Sequence, residues 1–223
     1  VTFGYCALGL TKISPDVLYD QGFDSLSNMC YLSKHPSGNF YKTSVLKELK
    51  VLDRIVDTYA DFDFIHEFMN SESSFLGKSI VINIPIITTA YTSNKGDFAK
   101  HKSYSYNKTN YYFNPVKRIS HCEEYFKAIK NLEIPQNQKN TLIKKVLYLG
   151  YRTSIHTFKN ALKDPKICSH YNIQPRNVSF VERLKINKNL SMFFLRCDTQ
   201  QNMFVKMGIL LTTQIRLFLF LTK

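Results

Sequence analysis

Tryptophan is absent from the 223 residues, so the apolar interior must be assembled from Phe, Tyr, Leu and Ile. Familiar catalytic signatures are absent too. The chain has no P-loop, G-x-G-x-x-G, G-x-S-x-G or H-E-x-x-H, which removes the sequence basis for the phosphate-loop, dinucleotide, hydrolase and zinc-protease sites they mark. C-x-x-C is also missing. Cys6, Cys30, Cys122, Cys168 and Cys197 lie far apart, with no zinc-finger spacing of Cys and His. An odd, scattered set reads as reduced, mostly buried thiols in a cytosolic protein. No charged segment followed by an apolar run opens the chain, so no secretory leader is evident. Val1 to Leu10 reads as the inside of a domain, and the natural N-terminus is expected upstream. No internal repeat is visible.

Acidic residues are scarce relative to basic ones. Lys and Arg number 30 against 17 Asp and Glu, a formal charge of +13. Such a chain attracts phosphates: those of nucleic acid, of an anionic membrane face or of a nucleotide-linked substrate. The positive charge is spread along the chain, whereas nucleic-acid binding prefers a clustered stripe with stacking aromatics. Nucleic acid is therefore not an expected partner of the leading reading.

Along the chain, Ser14-Pro15-Asp16 can start a helix, with Ser14 as N-cap and Pro15 at the first position. Asn39 to Tyr41 is a short extended run. Thr43 or Ser44 could cap a helix whose apolar stripe is Val45, Leu46, Leu49 and Leu52. A second helix is expected from Asp61 to Leu76, burying Phe64, Ile65, Phe68 and Met69, with Asp63 and Glu67 together on another face and Gly77 as a left-handed cap. Ser79 to Ile84 is the clearest strand, β-branched and bounded by Gly77 and Pro85. Residues 91–115 read as a long polar loop. Helices are expected over 115–132 and 135–162, weak at Gly150 and broken by Asp164-Pro165. A further segment spans 167–173. Residues 203–223 are apolar but carry Lys206 and Arg216. That argues against a membrane-spanning helix. It leaves an interfacial helix and a helix packed on its own domain as equal readings.

Three constellations could carry chemistry. In Lys34-His35-Pro36-Ser37-Gly38, Pro36 forces His35 into an extended conformation and Gly38 permits positive φ. An imidazole and a hydroxyl are thus held for gripping a sugar or phosphate; the bland reading is a connecting turn. Asp61, Asp63, His66 and Glu67 could supply a general base at a helix start, or a solvated acidic turn that suits the helix dipole. Lys100-His101-Lys102-Ser103-Tyr104-Ser105-Tyr106 alternates basic and aromatic residues, suiting a diphosphate or sugar ring, or a plain surface loop.

Taken in order, the pieces say more. Leu32 to Tyr41, then Asp63-Phe64-Ile65-His66-Glu67, then Gly77-Lys78 with the strand and Pro85, then Lys102 to Ser105, then Tyr112 to Arg118, and late Ile167 to Ile173, resemble the C-terminal half of bacterial family-two glycosyltransferases, similar to those that build surface polysaccharides. The resemblance covers roughly residues 25–175 and rests on order and spacing. It implies an α/β chain: a partial GT-A (Rossmann-like) domain over 1–115 forming the acceptor side and a mainly α-helical extension over 116–176. The basic, apolar tail over 177–223 departs from the resemblance and could lie on a membrane surface. It implies inverting transfer from a nucleotide-sugar donor to a saccharide or lipid-linked acceptor. Asp63 or Glu67 would be the base, and Lys34, His35, Ser37, Lys102 and Tyr104 would contact substrate. A divalent metal, Mg or Mn, is implied, its ligands expected mainly in an upstream half. Neither the family's opening nucleotide-binding segment nor its D-x-D precedes residue 33, and Asp16, Asp20 and Asp24 lack that spacing. The piece is therefore expected to be inactive alone. Its expected place is the cytoplasm, peripheral on the inner membrane face. The alternative is a non-catalytic basic module that docks on nucleic acid or an anionic membrane.

Overall fold

Four short strands make one mixed sheet: β1 (Phe3–Cys6), β2 (Val17–Tyr19), β3 (Asn39–Tyr41) and β4 (Ser79–Ile82). This is a computed structural model, and it describes residues 3–6, 16–31, 39–48, 50, 53, 65–82, 115–170 and 172–221. The strand order is β2-β4-β1-β3. β1 runs parallel to β4, Phe3 opposite Ser79, and both outer pairs are antiparallel. The chain is thus mixed α/β. It divides into two compact units, Val1–Asp97 and Phe98–Lys223.

The first unit holds the sheet with α1 (Phe23–Met29), α2 (Thr43–Glu48) and α3 (Ile65–Ser74). The helix expected from Ser14-Pro15 is not found. Those two residues lie outside the described ones, and Val17 to Tyr19 pair with β4, Val17 opposite Val81 and Tyr19 opposite Ser79. A branched and an aromatic side chain suit a pleated surface, and β4 supplies the ladder. Asn39–Tyr41 and Ser79–Ile82 are strands as expected. The left-handed glycine is Gly22, at φ 86°, and not Gly77. Gly22 precedes α1 and donates its N–H to Ser74 O at 2.8 Å. The end of α3 closes instead through short turns, Phe75 N–H to Glu72 O and Leu76 N–H to Ser73 O.

The second unit is helical: α4 (Pro115–Asn131), α5 (Gln136–Ala161), α6 (Pro165–His170), α7 (Phe180–Arg196) and α8 (Met203–Leu221). The stretches 116–176 and 177–223 share one core here. Cys122, Tyr125, Phe126 and Ile129 recur at helical spacing and are buried, as are Leu142, Val146 and Leu147 on α5 and Ile186, Leu190 and Phe194 on α7. The Phe126 and Phe194 rings meet at 5.5 Å. α6 ends with Asn172 at φ 56°, where Asn172 N–H reaches Ser169 O and Ile173 N–H reaches Cys168 O, the closing pattern of a left-handed helix cap. Burial pushes the Cys122 thiol up to about 12 and the Cys197 thiol to about 11, so both are inert packing groups. Among the described residues, no helix is long and apolar enough to cross a membrane.

α5 runs unbroken through Gly150. Its glycine is a packing requirement: a Cβ there would fall 2.5 Å from Cys122 Sγ. Gly150→Ala should therefore destabilise the protein by about 1–3 kcal/mol from overpacking, although alanine is the better helix former. Adding Cys122→Ala should recover most of that loss, a coupling that denaturant midpoints of the four chains measure directly.

α7 begins with a complete capping box. Glu182 N–H reaches Ser179 Oγ at 3.1 Å, and Ser179 N–H reaches Glu182 Oε2 at 2.9 Å. Arg176 grips the same carboxylate with two N–H groups at 2.9 and 2.7 Å. The Arg176 bonds first, then Ser179 N–H, hold the Glu182 carboxyl down to about 2. A depressed carboxyl contributes stability that is present above its unfolded value, near 4.5, and lost as pH falls towards 2. Acidification through that window should loosen the first turn of α7. Amide exchange at Ser179 to Arg183 reads this, and Glu182→Gln should remove the pH dependence.

Candidate functional site

Of the residues to which the resemblance gives a role, Glu67 is the one inside the described structure, next to the half-buried His66. Lys34, His35, Ser37, Asp63, Lys102 and Tyr104 lie outside it. Glu67 sits in the first turn of α3, where a carboxylate suits the helix dipole. Its burial corrects the sequence reading. Glu67 was expected on a face away from the core, yet it is 0% exposed, and Met69, expected inside, is only half-buried.

The face α3 buries is largely polar. Glu67, Asn70, Ser71 and Ser74 recur at i, i+3, i+4 and i+7, and all four are buried beside Phe68. A polar stripe is stable inside only when partners meet it. Tyr41 on β3 donates its hydroxyl to Asn70 Oδ1 at 2.7 Å. The Tyr31 hydroxyl shares a bond with Ser71 Oγ at 2.8 Å, and its ring meets Phe68 edge-on at 6.4 Å. Ser74 Oγ donates to Ser71 O at 2.6 Å. Ser25 on α1 and Ser79 on β4, both buried, share a short hydroxyl bond.

Tyr31 adopts φ 56°. An aromatic residue there costs on the order of 1–3 kcal/mol and persists only where its surroundings hold it; here burial, the Ser71 bond and the Phe68 contact do so. Tyr31 immediately precedes residues 32–38, which contain Lys34-His35-Pro36-Ser37-Gly38 in sequence and lie outside the described residues, and β3 follows them. The residues on either side of that segment are fastened to α3, through Tyr31 before it and Tyr41 after it. Sequence reasoning missed Tyr31, Asn70 and Ser71 as contributors. Their signal was available: polar residues three and four positions after Glu67 must share its face.

The acids nearer the start are committed elsewhere. Asp20 pairs with Lys78 at 2.8 Å on the surface, the hydrogen bond raising the Lys78 amine above its usual value. Asp24 accepts from Asp20 N–H at 2.9 Å and from Asn28 Nδ2 at 3.0 Å. Among the described residues no group of three His, Cys, Asp or Glu could hold a metal ion. The second unit has a small cavity of about 190 Å³ lined by Glu123, Phe126, Lys127, Lys130, Cys197 and Asp198. Its charges neutralise one another, Lys130 with Asp198 at 2.5 Å and Lys127 with Glu123 at 3.4 Å.

Tyr41→Phe deletes the donor to Asn70 Oδ1 on a buried face. It should cost about 1–3 kcal/mol of stability, visible as a lower urea midpoint in the full chain.

Comparison with family models, with curated proteins and with solved structures returned no match for this chain.

Proposed function

We propose that the chain is the acceptor-side part of an inverting glycosyltransferase that moves a sugar from a nucleotide-sugar donor to a saccharide or lipid-linked acceptor in surface polysaccharide synthesis, working at the cytoplasmic face of the membrane. One observation carries the reading: Tyr31 and Tyr41, on either side of the Lys34–Gly38 motif in sequence, both bond to the helix that has Glu67 in its first turn. A substrate-gripping segment and a base must lie close together, and these two bonds support that. The parallel pairing of β1 with β4 is in keeping with a partial GT-A (Rossmann-like) domain.

In this reading a carboxylate accepts the proton of the acceptor hydroxyl. The oxygen attacks the anomeric carbon, and the bond to the diphosphate breaks with its electron pair leaving on the diphosphate. The base must touch the hydroxyl it deprotonates. Glu67 is wholly buried, so we assign the proton to Asp63 and give Glu67 a positioning role. His35, Ser37 and Lys34 would hold the acceptor side, and Lys102 and Tyr104 the diphosphate and sugar. A divalent metal, Mg or Mn, would steady the leaving diphosphate when bound.

The test joins the chain to its upstream coding sequence and follows nucleotide release with acceptor present. Asp63→Asn should lower kcat by about 10²–10⁴-fold with donor KM little changed. Glu67→Gln should reduce kcat less and leave the pH profile in place. Asp61→Asn is the control, because Asp61-Phe62-Asp63 also has D-x-D spacing. A metal-ligand role for Asp63 would make Asp61→Asn equally damaging, with activity partly restored by excess Mn²⁺. Full activity in Asp63→Asn and Glu67→Gln together would sink the assignment.

A further inference from the structure

α7 and α8 form an antiparallel pair. Asn187 and Gln214 exchange side-chain amide bonds at 2.9 and 2.8 Å, and Lys206 Nζ donates to Leu195 O and Cys197 O at the other end. Both helices pack on α5, and α7 also on α4, so their outer faces look away from one core. α8 buries Lys206, Ile209, Thr213 and Leu217. Its opposite face exposes Phe204, Met207, Leu211 and Ile215, again at spacings of three and four, with Phe204 89% and Leu211 63% exposed. This second stripe is about 16 Å long and carries no charge. The outer face of α7 exposes Val181, Leu184 and Met192 between Lys185, Lys188 and Arg196. From Arg183 to Leu221 the sole acid is Asp198, and Lys130 holds it.

We infer that this two-helix face is a docking surface for an anionic bilayer. The α8 stripe would enter the headgroup boundary and the α7 cations would pair with lipid phosphates. The charge decides between occupants. An uncharged stripe alone would suit a second copy, but apposing two such faces would bring the Lys185, Lys188 and Arg196 clusters together without an acid to answer them. An interfacial helix needs this combination of exposed apolar area and flanking cations. The inference does not depend on the transferase reading.

The chain has no tryptophan, so Phe204→Trp places a single indole at the N-terminal end of the α8 stripe, on its most exposed member. Its emission should shift to the blue with phosphatidylcholine vesicles containing phosphatidylglycerol, and barely with phosphatidylcholine alone. In that background, replacing Lys185, Lys188 and Arg196 by Gln should weaken partition about fivefold per charge. Leu211→Ser with Ile215→Ser should weaken it at least tenfold. These side chains are exposed, and an unchanged circular dichroism spectrum checks the fold. Three outcomes would overturn the inference: no shift on anionic vesicles, partition indifferent to the three cations, or a blue shift without lipid that grows with protein concentration, which would give the face to a second copy.

Discussion

A helix that buries a polar face depends on its neighbours for every bond it has lost to water, and α3 is such a helix. Asn70, Ser71 and Ser74 are inside because Tyr41, Tyr31 and the helix backbone receive them. An unmet buried polar atom costs about 1–3 kcal/mol, comparable with a sizeable share of a domain's net stability. The bonds are also directional, which an apolar contact is not. The first unit therefore fixes β3 and the Cys30-Tyr31 segment against α3 by geometry as well as by burial. The unfavourable φ of Tyr31 is held by the same contacts.

The second unit meets its polar requirements differently. Its core is aliphatic and aromatic, and its hydrogen bonds gather at helix ends and between helix flanks. Lys206 places its ammonium on the last carbonyls of α7, answering both the missing helical donors and the negative end of the dipole. Lys139 Nζ does the same for α4, donating to Lys130 O at 2.6 Å. A buried lysine is costly unless such partners meet it, so Lys206 fixes where α8 crosses α7. In sequence the same residue merely interrupts an apolar run.

That contrast explains what could be read from the sequence. Long periodic helices were legible: Pro115 to Asn131 and Gln136 to Ala161 follow from apolar spacing and from the breaks at Pro135 and Asp164-Pro165. The β-branched strand at Ser79 and the short run at Asn39 were legible for the same local reason. Local chemistry failed where tertiary partners decided. Val17 to Tyr19 became a strand because β4 was there to pair with it. Glu67 went inside on the same face of α3 as Asn70 and Ser71, which meet tyrosine hydroxyls there. Gly150 suggested a weak helix and proved to be a contact with Cys122. Of the residues to which the resemblance gives a role, only Glu67 falls within the described residues, and its burial depends on tertiary partners that no local pattern displays.

α8 packs on its own domain through one stripe and leaves a second stripe uncovered. A helix needs only one apolar stripe to pack on its own core, and Ile209 and Leu217 provide it. Phe204, Met207, Leu211 and Ile215 are surplus to that need. Scattered exposed apolar residues are ordinary, but four in register on one helix face form a continuous strip, and strips of that kind mark interaction surfaces. The fold has thus kept an uncovered apolar face on a helix whose polar groups are already used: Lys206 on α7, Gln214 on Asn187, and Arg216 over the Tyr148 ring at 4.4 Å. What remains on that face is area, and the charge beside it comes from α7.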